Sequence, residues 1–258
     1  MVWQCFENRL YIRAELVAET GLRIGAGGET ALPTATDLPV MRTPEGKPFI
    51  PGSSLRGALR SHIERIVRTF EPDAGNGKGA CNPTRPQEWC LPSEERKRLE
   101  DAQVYERSCR VCRVFGSPWL ASRVRLRDLY LAECVADLKP ELRDSVAIDR
   151  EKESVANKFD FEALPAGARF HMEIVAENLN PAELGLLLVA IRELERGEIL
   201  LGGFKGRGLG RVCLQKIKYE WLTHENLKQY LLNGTTESLS ESFQQECIRA
   251  FLDELRRE

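Results

Sequence analysis

The run from Pro51 to Phe70 constrains the fold of this chain more than any other stretch. It opens as Ile50-Pro51-Gly52-Ser53-Ser54, a helix-start signal in which the serine pair is suited to cap the first free N–H groups. Leu55, Leu59, Ile63, Ile66, Val67 and Phe70 then recur on one stripe, with Arg56, Arg60 and Arg65 off it. Such a helix buries its stripe against a sheet. Its start is a natural seat for a phosphate, and Arg56 and Arg60, four apart, share a face.

The flanking segments supply the sheet. Residues 9–24 alternate apolar and polar, through Leu10, Ile12, Ala14 and Leu16, as a half-buried strand does. Residues 122–136 form a second strand candidate, in which Arg123, Arg125 and Arg127 alternate with Val124 and Leu126. Those arginines are either a solvated face or a phosphate track. Asn180-Pro181 opens a second amphipathic helix, with Leu184, Leu187, Leu188, Ile191 and Leu194 inward and Gly197 as its stop. Residues 211–221 close the series as a strand, and an acidic tail follows with Phe243, Cys247, Phe251 and Leu255 on one stripe. Strand, helix, two strands, helix, strand is the order of a ferredoxin-like (RRM-like) βαββαβ domain in the α+β class.

Between Glu71 and Pro118 the composition turns polar, turn-rich and aperiodic, as in an insertion hung on the domain. Four of the eight cysteines of the chain fall there, as Cys81-x8-Cys90-x18-Cys109-x2-Cys112. An insertion with little apolar content gains stability from a structural zinc, and four sulfur ligands leave no open position for catalysis. Four unrelated thiols are the alternative. The opening MVWQCFENRL lacks a cationic segment followed by an apolar core, so no signal peptide is expected and the thiols are expected in a reducing cytoplasm. No apolar run approaches the roughly 20 residues that cross a bilayer, and no membrane association is expected.

The chain carries no H-E-x-x-H and no G-x-S-x-G, and its three histidines, His62, His171 and His224, are scattered. That argues against histidine-driven hydrolysis. The glycine-rich run Leu201-Gly202-Gly203-Phe204-Lys205-Gly206-Arg207-Gly208-Leu209-Gly210-Arg211 lacks the Lys-Ser/Thr ending of a P-loop, and a strand follows it. Its bare backbone with Lys205, Arg207 and Arg211 suits contact with nucleic-acid phosphates. The formal net charge of −2 hides a basic stretch from Arg42 to Arg68, and local charge matters more than the total. In front of that stretch lie the small-residue loop Gly25-Ala26-Gly27-Gly28 and a lone acid, Asp37.

These elements in this order resemble the RAMP superfamily (repeat-associated mysterious proteins) of CRISPR systems, and within it the repeated backbone subunit of type III effector complexes. The resemblance rests on Gly25 to Gly28, Asp37-Leu38-Pro39-Val40, Lys47 to Ser54, Cys109-x-x-Cys112-Arg113-Val114-Phe115-Gly116, Ile148-Asp149-Arg150 and the glycine-rich run at 201–211. It implies an antiparallel sheet with hairpin extensions, and it covers about Leu10 to Arg211; the zinc-binding insertion at 71–118 and the helical tail at 222–258, where the chain departs from the family, complete one domain spanning 1–258. The resemblance implies guide CRISPR RNA, complementary target RNA and other effector subunits, including copies or paralogues of the chain, as partners. It implies contacts to RNA from Ser53, Ser54, Arg56, Arg60, Arg150, Lys152, Lys158, Lys205, Arg207 and Arg211. It implies a zinc site at Cys109 and Cys112 whose first two ligands vary in the family, for which the cysteine clustering offers Cys81 and Cys90. In that family the aspartate at the place of Asp37 cleaves target RNA with Mg²⁺ or another divalent cation and the neighbouring 2′-hydroxyl as nucleophile. A scaffold that binds guide RNA without cutting is the alternative.

Overall fold

The computed structural model describes residues 4–27, 36–132, 135 and 138–255. Gly28 and Cys134 therefore lie outside the described residues. Chain order begins with β1 (Asn8–Ala18), β2 (Phe49–Ile50) and α1 (Gly52–Phe70). Three short helices follow in the cysteine-rich segment: α2 (Ser93–Arg96), α3 (Asp101–Arg107) and α4 (Arg110–Phe115). Then come β3 (Val124–Leu126), β4 (Leu129–Tyr130), β5 (Glu141–Asp149), β6 (Ser154–Ala163) and β7 (Arg169–Glu177). The chain continues through α5 (Pro181–Glu195), β8 (Val212–Thr223), α6 (Leu227–Asn233), β9 (Glu237–Ser238) and α7 (Glu241–Leu255).

The main sheet runs β3-β7-β1-β8-β9, and every neighbouring pair in it is antiparallel. The alternation along β1 explains its central place. Leu10, Ile12, Ala14 and Leu16 turn to the buried face, where α1 and α5 pack. Arg9, Arg13 and Glu15 turn to the other face and enter ion pairs with Glu177 (2.6 Å), Glu173 (3.5 Å) and Lys216 (2.7 Å). Arg125 and Arg127 join that lattice through Glu177 (2.7 Å) and Glu173 (3.3 Å). Arg123 does not share their face: it is buried, donating to the carbonyls of Asn178 (2.6 Å) and Arg113 (2.7 Å) and paired with Glu183. The predicted strand at 122–136 is two short ones, β3 and β4, and Arg123 precedes both.

In α1, Leu55, Leu59, Ile63 and Val67 are fully buried as the stripe requires, while Phe70 at its end is 49% exposed. The expected serine cap is absent. Pro51 occupies the cap position with no side-chain bond, and the carboxylate of Asp128 accepts the Gly52 N–H at 2.8 Å. A residue far along the chain thus does what Ser53 and Ser54 were expected to do, and both serines are exposed. Gly52 is required there: a Cβ would stand 2.5 Å from the Leu126 carbonyl oxygen.

In α5 the predicted cap forms, with Asn180 accepting from Glu183 N at 2.9 Å and the Glu183 carboxylate accepting from Asn180 N at 3.0 Å. This helix is buried nearly all round, including Leu186 and Ala190 outside the predicted stripe, because α7 covers its second side. The two helices meet closely at Gly185, where a Cβ would lie 2.0 Å from the Cys247 carbonyl oxygen. The α7 stripe of Cys247, Ile248, Phe251 and Leu255 fills that contact, and Phe243 packs on Trp221. No helix among the described residues is long and apolar enough to cross a membrane.

Candidate nucleic-acid interface

Two regions carry the chemistry expected from the sequence, and they differ in character. The first is the cysteine cluster. The sulfurs of Cys81, Cys90, Cys109 and Cys112 all lie within 4.8 Å of one another. Tetrahedral zinc with Zn–S bonds of about 2.3 Å separates its sulfurs by about 3.8 Å, so donor type and spacing fit a metal such as zinc. Sharing of protons among the sulfurs pulls the Cys81 thiol far below its ordinary pKa and pushes Cys112 far above it.

Arginines bind this cluster to α1. Arg60 is 7% exposed, and its donors reach Glu64 (2.7 Å), the Gly116 carbonyl (2.8 Å) and Cys112 Sγ (3.3 Å). Burial pulls the pKa of Arg60 down, but Cys112 and Glu64 outweigh it and hold the guanidinium above its ordinary value. Arg56 donates to the Phe115 carbonyl and is half-buried. Arg68 donates to the carbonyls of Ala80 (2.8 Å) and Cys81 (2.8 Å). Arg56 and Arg60, both expected at RNA, thus spend their donors on protein groups around the cysteine cluster. Off the apolar stripe they meet the end of α4 and the residue after it, Phe115 and Gly116.

The second region is built from three segments far apart in sequence. Leu38, Phe159, Phe161, Ala163, Phe204 and Leu209 form a small apolar cluster separate from the main core. Phe204 packs against Phe161 at an interplanar angle of 57° with ring centroids 4.7 Å apart, and so joins the glycine-rich loop to β6. On the same aromatic ring lie two guanidinium groups, Arg207 at 4.9 Å and Arg23 at 5.0 Å. Burial lowers the pKa of Arg23, and its Nε is a buried donor with no partner among the described residues. Two cations on one ring, neither ion-paired with a carboxylate among the described residues, make an anion-receptive surface.

The loop backbone approaches its neighbours too closely for side chains. A Cβ at Gly202 would lie 2.1 Å from the Arg23 carbonyl oxygen, and one at Gly210 would lie 2.2 Å from that of Leu201. Lys205 and Arg207 are exposed on the 3-10 turn between these glycines. Lys205 also lines, with Ser54, His62 and Arg65, an open groove of about 620 Å³ between α1 and the loop. The sequence placed Ser54 and Lys205 on separate motifs; the fold brings them to one groove. Arg211 is exposed but pairs with Glu19 at 2.7 Å.

Asp37 stands at the other end of the aromatic cluster. It is exposed, and its segment lies along β6, where Leu38 bridges Phe161 in parallel and Glu162 N donates to the Leu38 carbonyl at 3.1 Å. Asp37 N donates to Asp160 Oδ1 at 2.8 Å, and Asp160 N donates to Asp37 Oδ2 at 3.0 Å. Glu162 holds the following turn through Val40 N (3.0 Å) and Arg42 (2.8 Å). Carboxylate oxygen is the donor type that a divalent cation such as Mg²⁺ prefers, but among the described residues only the four cysteines gather three or more potential ligands. Beyond Asp37 and its neighbours, β5 and β6 form a two-stranded hairpin outside the main sheet. Arg150 and Lys152 are exposed at its tip, and Lys158 pairs with Asp144 at 3.5 Å.

Sequence reasoning missed Arg23, Arg65 and Asp160. Arg65 was visible as a cation on the basic helix, whereas Arg23 and Asp160 acquire meaning only from the register that places them beside Phe204 and Asp37.

A sequence model of the RAMP superfamily matches residues 15–213. The chain is 27% identical over 241 residues to the "CRISPR system Cms endoribonuclease Csm3" of Methanothermobacter thermautotrophicus, covering 83% of this chain and 86% of that protein. Proteins of the same description from Methanocaldococcus jannaschii and Enterococcus italicus are 28% and 26% identical over 223 and 226 residues. The first alignment covers 82% of this chain and 81% of the relative, the second 81% and 92%.

Proposed function

The chain belongs to the RAMP superfamily, and from that premise we propose that it is a backbone subunit of a type III CRISPR ribonucleoprotein that binds guide RNA and cuts the paired target RNA. The observation that carries this reading is the continuity of the second region. An exposed carboxylate, Asp37, and a glycine loop bearing Lys205 and Arg207 are fixed to one aromatic cluster. A phosphate-gripping surface and a general base thereby share one support. We read the sheet order β3-β7-β1-β8, flanked by α1 and α5, as the ferredoxin-like plan of that family, with residues 71–118 as its insertion and residues 222–258 as its tail.

Lys205, Arg207, Ser53 and Ser54, joined by Arg23 and Arg65, line the proposed guide-RNA path, with Arg150, Lys152 and Lys158 on the hairpin toward the target. Arg211 belongs to its edge, since Glu19 competes for it. Sequence is read by base pairing between guide and target, while protein grips backbone. Asp37 accepts the proton of the 2′-hydroxyl beside the scissile phosphate. The 2′-oxygen bonds to phosphorus, the P–O5′ bond breaks, and the 5′-oxygen takes a proton from water. A divalent cation held at Asp37 would supply positive charge to the phosphate oxygens. The four cysteines would hold a structural zinc. Copies or paralogues of the chain, with other effector subunits, complete the assembly.

The test is cleavage by the effector assembled on guide RNA and given labelled complementary RNA with Mg²⁺. The reading expects cuts at regular intervals that EDTA stops and that 2′-deoxy substitution at the cut positions blocks. An assembly that binds the target and never cuts makes the subunit a passive scaffold.

A further inference from the structure

We propose that Asp160 is the positioning residue for Asp37, acting through its carboxylate as a hydrogen-bond acceptor; this rests on the reading of Asp37 as the general base. The segment that carries Asp37 belongs to no helix or strand, and what it needs is an anchor. Asp160 provides it at both ends of one residue. Its Oδ1 accepts the Asp37 amide at 2.8 Å, fixing the backbone, and its own amide donates to Asp37 Oδ2 at 3.0 Å, fixing the side-chain rotation.

The bracket has a chemical consequence. With Oδ2 engaged, Oδ1 of Asp37 takes no hydrogen bond among the described residues and remains the oxygen able to accept a proton. The anchor is itself rigid, because Asp160 sits in β6 between Phe159 and Phe161, whose rings pack on Phe204. The same packing holds the glycine loop. Position of the base and position of the phosphate-binding backbone are therefore set by one strand.

Pre-aligned reacting groups lose about a hundredfold in rate when displaced by about 1 Å. The test is single-turnover cleavage by the assembled effector, with target affinity measured in parallel, for Asp160→Ala, Asp160→Asn, Asp160→Glu and, as control, Asp37→Ala. Asp160→Asn retains an acceptor oxygen at the same place and is expected within about threefold of the wild-type rate. Asp160→Ala lacks the acceptor, and Asp160→Glu moves it by one methylene while keeping the charge. Both are expected to cut about tenfold to a hundredfold more slowly, with target affinity unchanged. Wild-type cleavage by Asp160→Glu, or by Asp160→Ala where it assembles, overturns the proposal. So does an Asp160→Asn variant as slow as Asp160→Glu, since that makes charge and not hydrogen bonding the requirement. Undiminished cutting by Asp37→Ala is a different failure, which removes the reading of Asp37 itself.

Discussion

Arg60 and Arg207 are the same residue type in two regions that use it in opposite ways. Arg60 is 7% exposed and satisfied by a carboxylate, a carbonyl and a sulfur around the cysteine cluster. Arg207 is exposed and lies on an aromatic ring beside a second cation, and among the described residues its guanidinium makes one weak hydrogen bond, to Ser145 at 3.4 Å. The first arrangement holds structure together and leaves nothing for a ligand. The second leaves charge unneutralised at a surface where backbone is bare. A cation's partners, not its presence in a basic run, therefore separate a structural cation from an available one here.

The comparison breaks most readily at the cysteine side. Cys112→Ser removes one sulfur from the cluster and a partner of Arg60. It is expected to lower metal content from about one zinc per chain to a small fraction and to unfold the insertion. Elemental analysis with limited proteolysis reads both, and zinc-free wild-type protein that resists protease as well as before would end the metal reading. Arg60→Ala is next: breaking a buried pair costs about 3 kcal/mol or more, seen as a lowered urea midpoint. A stable variant with weakened RNA binding would return Arg60 to the RNA path.

Arg207→Glu and Lys205→Glu sharpen the other half. Both are expected to leave stability within about 0.5 kcal/mol while weakening guide-RNA binding with little sequence preference. Each lost phosphate contact should flatten the log–log salt dependence by about 0.7. Unchanged affinity and slope would place the RNA path elsewhere.

The smallest effect is in acid. Burial alone would raise the Glu71 carboxyl, but hydrogen bonds from Arg110 and the Gly79 N–H, with the charge of Arg110, hold it below its ordinary value of 4.5. A depressed carboxyl stabilises the fold fully above that value and loses its contribution as pH falls below it. Urea midpoints across pH 5 to 3 should therefore drop less for Glu71→Gln than for the wild type. Parallel curves would show that Glu71 is not linked to folding.

Much of the fold was legible because its signals are local. Alternation marked β1, apolar stripes marked α1, α5 and α7, and Asn180 with Glu183 made the cap that their spacing allows. The cysteine spacing foretold a cluster because a Cys-x-x-Cys pair already places two sulfurs side by side. What failed depends on distant partners. Asp128 displaced Ser53 and Ser54 as the cap of α1, Glu183 drew Arg123 inward, and the carbonyls of Phe115 and Gly116 took up Arg56 and Arg60. Asp37 was legible as a lone acid among small residues, but nothing in the sequence joined it to Asp160.

The account stands most directly on Asp37→Ala, assembled with guide RNA and given complementary labelled RNA and Mg²⁺. An exposed acid contributes little to folding, so the variant should assemble and bind target as the wild type does. The account predicts that the regularly spaced cuts disappear. Cuts at the wild-type rate and positions would contradict it.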